Sequence, residues 1–302
     1  MKLLVLGGSY FLGKQFVLLT KDSHELCVFN RGTRFFCDDK VKQITGDRHN
    51  KEDLKKLKNE QYDAVIDFCA YEKGDIADVL EALGGNVRQY VFVSTVDVYE
   101  RGLERLLDES EPFEARYFGP GVGDYISGKV ALEQEIVQCA KRYDTAYTVV
   151  RPAFIYGPDN YADREAIYFQ WISQASQILH PIDATGEFQM VYVKDVACFL
   201  EKVLLNEKAY NQAYNLAPEP MVTYESFANA LKKSISKPFE RVKVTVQMVN
   251  EKGLPLPFPL LKEESNWYNG RKALEILGGY TDLEKGLTDT YNHWKASHTN
   301  DN

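Results

Sequence analysis

Several features that mark particular classes of protein are scarce or missing in this chain of 302 residues. Nowhere do about 18 apolar residues follow one another, so we expect no membrane-spanning helix. The N-terminus begins with a strand-like run and has no cleavage site, which predicts that no secretory signal is present. The five cysteines are scattered and lack metal-ligand spacing, which favours free thiols in a reducing cytoplasm over disulfides or a bound metal: Cys27, Cys37, Cys69, Cys139 and Cys198.

Positive charge is scarce as well. The 36 Lys and Arg residues stand against 44 Asp and Glu residues, which gives a net charge of −8. Because contact with a phosphate backbone needs a basic face, this balance argues against a nucleic acid as the main partner. The apolar content of 44% is ordinary for a globular protein. We therefore expect a small-molecule substrate as the partner, and neither a nucleic acid nor a membrane.

Short apolar runs alternate with amphipathic segments through the first half of the chain. Strands are predicted at residues 3–6, 26–30, 41–45, 64–68, 90–94 and 146–150, and helices at 14–20, 51–58, 75–83 and 125–142. This alternation predicts an α/β fold with a doubly wound parallel sheet, whose ligand crevice lies at the carboxyl ends of the strands.

The regular alternation of strand and helix patterns ends after Arg151 and Pro152. A turn is expected at 155–158, strands at 189–193 and 215–217, and helices at 166–176, 196–205, 224–234, 271–277 and 283–294. We predict a dinucleotide-binding domain over residues 1–157, to which 187–217 returns. Residues 158–186 and 218–302 would then form a smaller mixed substrate lobe.

A glycine-rich turn follows the first predicted strand and precedes a helix. Such a turn cradles a dinucleotide pyrophosphate, because backbone N–H groups and the helix dipole converge there. The pattern is imperfect, since Tyr10 stands where the middle glycine lets the backbone approach the pyrophosphate. An ordinary strand–helix turn also uses glycine, and the motif alone leaves both interpretations open. The cofactor-binding candidates here are Gly7, Gly8, Ser9, Tyr10, Phe11, Leu12 and Gly13.

Further cofactor-binding candidates stand at the carboxyl ends of the other strands. After the second strand, Asn30 and Arg31 occur where an NAD site usually has Asp or Glu. We therefore favour NADP over NAD, with Arg31, and Arg34 nearby, pairing with a ribose 2′-phosphate; the alternative is that Arg31 is a solvated loop residue. Asp47 is placed to bind the adenine amino group. The remaining candidates are Arg48, Cys69, Ala70, Tyr71, Ser94 and Pro152.

Three residues form a candidate catalytic group. Tyr125 and Lys129 are four residues apart on a predicted helix and share one face, and Thr95 follows the fifth strand. Tyr125 would exchange a proton with a substrate oxygen, but the ordinary pKa of a phenol, about 10, is too high for a good base at neutral pH. The Lys129 ammonium and the positive charge of oxidised nicotinamide would together favour the phenolate. Thr95 would donate a hydrogen bond to the same oxygen. Each element alone is weak, but their order after the glycine turn favours one hydride-transfer site.

The chain resembles an extended short-chain dehydrogenase/reductase of the NAD-dependent epimerase/dehydratase family. The resemblance rests on residues 6–13, 46–48, 63–67, 90–99, 125–129, 151–158 and 191–197, in the family's order. It is closest to a subgroup with a bulky residue in place of the middle glycine. It implies a Rossmann fold and catalytic roles for Thr95, Tyr125 and Lys129. Relatives often form homodimers through helices of the cofactor domain, so a homodimer is one expected assembly.

The resemblance also separates reactions within the family. Dehydratases of this family carry Thr-Asp-Glu after the fifth strand, whereas this chain has Thr95, Val96 and Asp97. Val96 has no proton to donate, which disfavours that dehydration mechanism. Asp97 is either an acid on the substrate side or a solvated turn residue. The other substrate-pocket candidates are Tyr156, Arg164 and Tyr192; Arg164 suits an anionic group, or forms a surface salt bridge.

Together these patterns predict a cytoplasmic NAD(P)-dependent oxidoreductase or epimerase. Its expected substrate is a secondary alcohol or carbonyl compound, such as a sugar or nucleotide sugar. The alternative is a cofactor-sensing or RNA-associated regulatory protein on the same fold. The candidate catalytic group argues against a pure sensor, and the net charge of −8 argues against RNA.

Overall fold

The computed structural model describes residues 1–34, 36 and 38–298. Its thirteen strands are β1 Lys2–Leu6, β2 Glu25–Asn30, β3 Val41–Thr45, β4 Ala64–Asp67, β5 Gln89–Val93, β6 Leu106–Leu107, β7 Ala146–Pro152, β8 Phe154–Tyr156, β9 Gln177–Pro181, β10 Met190–Tyr192, β11 Gln212–Leu216, β12 Glu240–Val244 and β13 Trp267–Tyr268 within these residues. The α-helices in the same part of the chain are α1 Phe11–Thr20, α2 Lys51–Leu54, α3 Asp75–Leu83, α4 Val122–Tyr143, α5 Glu165–Ala175, α6 Val193–Val203, α7 Tyr224–Ser234, α8 Val246–Lys252, α9 Arg271–Leu277 and α10 Leu283–His298.

A seven-stranded sheet organises the molecule. Its strands are all parallel and lie in the order β11-β7-β5-β4-β1-β2-β3. The strand order reverses between β1 and β4, and ligands of open α/β sheets bind outside the carboxyl ends of the strands at such a reversal. The predicted doubly wound sheet is confirmed.

Both faces of this sheet are covered by helices. Side chains alternate along β1, so that Leu3 and Val5 join one hydrophobic core while Leu4 and Leu6 join another. Helices α1 and α6 pack together in the first layer, and α3 and α4 pack together in the second. The near-continuous apolar sequence of β1 is explained by this burial on both faces.

The later part of the chain adds a smaller mixed region. Three short parallel pairs form there or link it to the sheet domain: β8 with β10, β9 with β12, and β6 with β13. Strand β11 returns to the edge of the main sheet beside β7, and α6 packs against α1. The predicted domain boundaries, including the return of 187–217 to the cofactor domain, stay a prediction.

Several predicted elements differ from those in the structure. The turn expected at 155–158 begins within β8, and strands β9 and β12 and helix α8 had no predicted counterpart. The helix expected over 51–58 is a short α-helix followed by a 3-10 turn. Within the described part of the chain, Cys27, Cys69, Cys139 and Cys198 are unpaired, while Cys37 lies outside it. No helix among those residues is both long and apolar enough to cross a membrane.

Candidate active site

A large cleft lies along the carboxyl ends of the sheet strands and continues beneath the smaller region. Its volume is about 1040 Å³. The cofactor-side candidates that line it are Gly7, Ser9, Tyr10, Phe11, Leu12, Gly13, Asn30, Arg31, Asp47, Arg48, Cys69, Tyr71, Ser94 and Pro152. Gly8 and Ala70 are not part of this lining.

Glycines shape the turn between β1 and α1 in two ways. Gly7 has φ +85°, a left-handed conformation that favours glycine. A Cβ on Gly13 would overlap the carbonyl oxygen of Gly7, so the helix start can approach the turn only because Gly13 has none. Gly8 instead serves packing, because a Cβ there would lie 2.8 Å from the side chain of Val5 and 3.0 Å from that of Val17. Gly8 thus has a role in strand–helix packing, and its predicted contact with the cofactor stays a prediction.

Tyr10 occupies the middle-glycine position without backbone strain. Its φ of −144° and ψ of 145° are extended, so the turn needs no glycine there. Its ring lies at the mouth of the cleft, where the Arg34 guanidinium carbon is 3.8 Å from the ring centroid. The Tyr161 ring stacks on Tyr10 with centroids 5.5 Å apart. At the position where the dinucleotide motif has a glycine, the Tyr10 side chain thus makes an aromatic contact between two loops.

The end of β2 presents donors to the cleft. Asn30 accepts a hydrogen bond from the Gly32 N–H through Oδ1 at 2.9 Å. Its Nδ2 is buried and has no hydrogen-bond partner. Because an unpaired buried donor is costly, this nitrogen marks a place where a ligand acceptor fits. Arg31 is exposed at the same edge.

Arg48 belongs to a buried ion-pair network. Its guanidinium donates to both carboxylate oxygens of Asp67 at 2.9 Å and to the carbonyl of Asp75 at 2.9 Å. Burial alone would raise the pKa of Asp67, but the Arg48 charge and hydrogen bonds lower it overall. Tyr90 also donates to Asp67. Arg48 lines the cleft, yet its polar atoms serve mainly to join the ends of β3 and β4.

The loop after β4 contributes three neighbours with different roles. Cys69 lines the cleft, and burial raises the pKa of its thiol to about 12. Ala70 is fully buried, and it contributes a carbonyl that accepts from Lys129 Nζ at 2.9 Å. Its predicted place on the cofactor surface is corrected to this tether. Tyr71 lines the cleft with its ring centroid 6.3 Å from that of Tyr125.

The structure brings the three catalytic candidates together. Thr95 follows β5, and α4 carries Tyr125 and Lys129 on the face that lines the cleft. Thr95 donates to Asp97 at 3.2 Å, and its hydroxyl lies close enough to the Tyr125 phenol to influence the pKa of that group. Lys129 Nζ donates to the carbonyls of Ala70 and Val93 at 2.9 Å each and lies 5.9 Å from the centroid of the Tyr125 ring.

The electrostatics differ from the expected phenolate. Although 36% of Tyr125 is exposed, desolvation of its hydroxyl within the cleft and the Asp97 carboxylate raise the pKa of Tyr125, opposed by hydrogen bonding with Thr95. Burial also lowers the pKa of Lys129 to about 8. The predicted phenolate depends also on the positive charge of oxidised nicotinamide, and activation of Tyr125 by Lys129 stays a prediction. Lys129 directs its ammonium to two backbone carbonyls, and Tyr125 is a neutral phenol at neutral pH.

A buried polar network supports the base of this site. Ser94 donates through Oγ to Glu133 at 2.6 Å, and Arg151 pairs with the same carboxylate at 2.5 Å. Arg151 also donates to the Tyr99 hydroxyl at 2.6 Å, which in turn donates to Asn215. Ser94 therefore lines the cleft while its hydroxyl is committed to fixing α4 against β5 and β7.

The substrate candidates divide into two pairs. Asp97 and Arg164 line the cleft, and Asp97 forms an ion pair with Arg101 at 3.2 Å. Tyr156 and Tyr192 are outside the lining, which corrects their predicted role. Their rings pack together with centroids 5.5 Å apart, and Tyr192 donates to Asp289 of α10.

Other lining residues had no sequence signal. They come from separated loops, so neither spacing nor periodicity could connect them with the glycine turn; they include Arg101, Tyr161, Gln189, Asn266 and Tyr268. Arg101 Nε and Asn266 Oδ1 are buried without partners. This end of the cleft thus has one donor and one acceptor without partners among the described residues.

The sequence matches one family model and several curated proteins. Residues 75–217 match the NAD dependent epimerase/dehydratase family. The chloroplast stem-loop binding protein of 41 kDa b from Arabidopsis thaliana is 28% identical over 311 residues, which cover 96% of this chain and 78% of that protein. The dTDP-D-glucose 4,6-dehydratase of Mus musculus is 24% identical over 54% of this chain and 53% of that protein.

Solved structures share the fold over nearly the whole chain. UDP-glucose 4-epimerase from Thermotoga maritima superposes with a TM-score of 0.79 at 20% identity, covering 99% of this chain and 100% of that one. UDP-glucuronic acid 4-epimerase from Bacillus cereus, solved with UDP-glucuronic acid and NAD, gives 0.76 at 17% identity, covering 98% and 100%. At these identities the likeness shows the fold.

Proposed function

We propose that this chain, whose residues 75–217 match the NAD dependent epimerase/dehydratase family, is an NAD(P)-dependent oxidoreductase or epimerase acting on a secondary alcohol or carbonyl. The observation that carries this proposal is the meeting of Thr95, Tyr125 and Lys129 in the cleft that begins at the glycine turn. Relatives named for UDP-glucose, UDP-glucuronic acid and dTDP-glucose make nucleotide sugars the first substrate class to test.

The cleft fits a dinucleotide on two features of its own. Gly13 lets the start of α1 lie against the turn at Gly7, so that the N-terminus of the helix borders the cleft, and Asn30 Nδ2 is a buried donor without a partner. We assign the pyrophosphate to this turn and the adenosine to Asn30, Arg31 and Asp47. A bound nicotinamide dinucleotide supplies the hydride acceptor or donor.

Tyr125 is the proposed proton carrier. As a neutral phenol it donates a proton to a carbonyl oxygen in the reductive direction and takes one back from a hydroxyl in the oxidative direction. Thr95 hydrogen-bonds to Tyr125 and stands beside the same substrate oxygen. Lys129 positions α4 through its bonds to Ala70 and Val93, and its ammonium contributes positive charge near the phenol.

The cofactor preference follows from the end of β2. No carboxylate stands at Asn30 or Arg31 to accept hydrogen bonds from the ribose hydroxyls. Arg31 instead lies exposed along the cleft edge, where a guanidinium suits a phosphate. We propose NADP as the preferred cofactor.

Dehydration by an acidic pair is not part of this proposal. Val96 is apolar where that mechanism needs an acid, and the carboxylate of Asp97 is paired with Arg101. Asp97 nevertheless lines the cleft and raises the pKa of Tyr125, so its charge acts on the proposed proton carrier.

The test is turnover by the purified full chain. UDP-glucose, UDP-glucuronic acid and dTDP-glucose are each incubated with NADP⁺ or NAD⁺. Near-ultraviolet absorbance reports net reduction of the cofactor, and proton nuclear magnetic resonance reports epimers. We expect a nucleotide sugar to give either reduction of the cofactor or an epimer. We also expect the dinucleotide to bind in the absence of substrate. Failure of both dinucleotides to bind in calorimetry would overturn the proposed function.

A second function is favoured by one comparison. The plant relative that covers 96% of this chain is named for stem-loop binding. An RNA-associated role would show as binding of an RNA hairpin that persists at moderate salt, measured by fluorescence anisotropy. Because the net charge is −8, we expect weak binding that salt abolishes.

A cytoplasmic location and a homodimer both stay predictions.

A further inference from the structure

Tyr10 joins two loops across the mouth of the cleft. The Arg34 guanidinium lies over its ring, and the Tyr161 ring stacks against it at an interplanar angle of 27°. Tyr161 also meets the edge of Phe11, with centroids 5.7 Å apart. Since the backbone of Tyr10 is extended and 37% of the residue is exposed, the fold needs neither glycine nor tyrosine at this position. Its distinctive contribution is the ring contact.

The loop that carries Tyr161 is firmly attached. Asp159 accepts hydrogen bonds from Lys14 at 2.9 Å and from Gln15 at 3.2 Å, both on α1. The buried Glu165 accepts from the Gly157 N–H at 3.0 Å at the other end of the loop. These bonds hold Tyr161 beside Tyr10, so the Tyr10 ring has a fixed neighbour.

The charges at this edge of the cleft are mostly positive. Arg31 and Arg34 both line it, and neither forms an ion pair with a carboxylate among the described residues. Asp38 is occupied by Lys21, and the carboxylate of Asp47 accepts from the His49 N–H. Two guanidinium groups are thus available for an anion at the end of β2.

We propose that Tyr10 is a positioning residue that holds Arg34 at the cleft edge, so that Arg34 and Arg31 together select a dinucleotide with a phosphate on its adenine ribose. The inference rests on the proposed function, because it needs a dinucleotide in this cleft. A cation over an aromatic face is attracted by the ring quadrupole. Holding Arg34 before binding reduces the side-chain entropy lost when a phosphate is bound. The bulky residue at the middle-glycine position is therefore a specificity determinant.

The experiment measures binding of NADPH and NADH to the full chain by calorimetry. Wild type is compared with Tyr10→Leu, Arg34→Gln, their double variant and the matched control Tyr10→Phe, which keeps the ring. Because a guanidinium–phosphate contact is strong, Arg34→Gln should weaken NADPH about tenfold and leave NADH nearly unchanged. Tyr10→Leu should weaken NADPH alone, by roughly two- to fivefold. Tyr10→Phe should match wild type.

The double variant isolates the positioning role. If Tyr10 acts through Arg34, Tyr10→Leu has no further effect on NADPH once Arg34 is glutamine. Equal weakening of NADPH and NADH by Tyr10→Leu, or additive effects in the double variant, would overturn this inference while the proposed function stands. Failure of wild type to bind either dinucleotide overturns both. Because Tyr10 is partly exposed, circular dichroism should show that every variant folds.

Discussion

Replacing Lys129 by methionine should change how the stability of the protein depends on pH. The ammonium is 3% exposed, and its burial lowers its pKa from 10.5 to about 8. The folded state therefore binds the Lys129 proton less tightly than the unfolded state does. Below about pH 8 the lower pKa in the folded state reduces the unfolding free energy by its full amount. This loss disappears as the pH rises towards 10.5.

The size of the effect follows from the two pKa values. The difference between the two pKa values corresponds to about 3 kcal/mol of unfolding free energy, because each pH unit is worth a little over 1 kcal/mol. By linkage, about 1 kcal/mol of this cost should be recovered between about pH 7 and about pH 9. Lys129→Met lacks the titrating group and should not show this recovery.

The assay is urea unfolding of wild type and Lys129→Met without cofactor, at several pH values across that range. Subtracting the unfolding free energy of one protein from that of the other at each pH removes the contribution of the other titrating groups. The lost bonds to Ala70 and Val93 add an offset that does not change with pH. Lys58→Met, at an exposed lysine, serves as the control and should follow wild type. A constant difference between wild type and Lys129→Met from about pH 7 to about pH 9 would refute the reasoning.

Three further predictions concern the support of the cleft. Arg48→Met should lower the unfolding free energy by about 3–5 kcal/mol in urea titrations, because it leaves the buried charge of Asp67 unpaired; a loss under about 1 kcal/mol would contradict this. Gly13→Ala should abolish dinucleotide binding in calorimetry, because the new Cβ would overlap the carbonyl of Gly7; unchanged affinity would show that the turn does not hold the cofactor. Tyr192→Phe should leave the KM for the substrate unchanged, since Tyr192 lies outside the cleft. A severalfold rise in this KM would show that Tyr192 belongs to the substrate site.

The cofactor domain was largely predictable from the sequence because strands buried on both faces are short continuous apolar runs. The runs at β1, β2 and β4 are of this kind, and glycines mark the turn after β1. Ligands of such sheets bind at the carboxyl ends of the strands, so the first half of the sequence alone placed Asn30, Thr95 and Cys69 on one cleft.

The smaller region was less predictable for a physical reason. Strand β12 is mostly exposed or half-buried and charged, and β9 ends in proline, so neither has the pattern of a buried strand. Tyr156 and Tyr192 were predicted in the substrate pocket from their neighbours in sequence, but packing against α10 removed them from it. Arg34 and Tyr161 meet Tyr10 only through the tertiary fold, which spacing along the chain does not encode.

The most direct test of the central claim compares Tyr125→Phe with Tyr117→Phe in the same preparation. Tyr117 lies just before α4 and outside the cleft, so its variant controls for loss of a phenol near the site. Tyr125→Phe should keep the cofactor Kd within about twofold and reduce turnover by ~10²-fold or more, because the proton carrier is lost. Tyr117→Phe should change neither. Full turnover by Tyr125→Phe would contradict the account of this site.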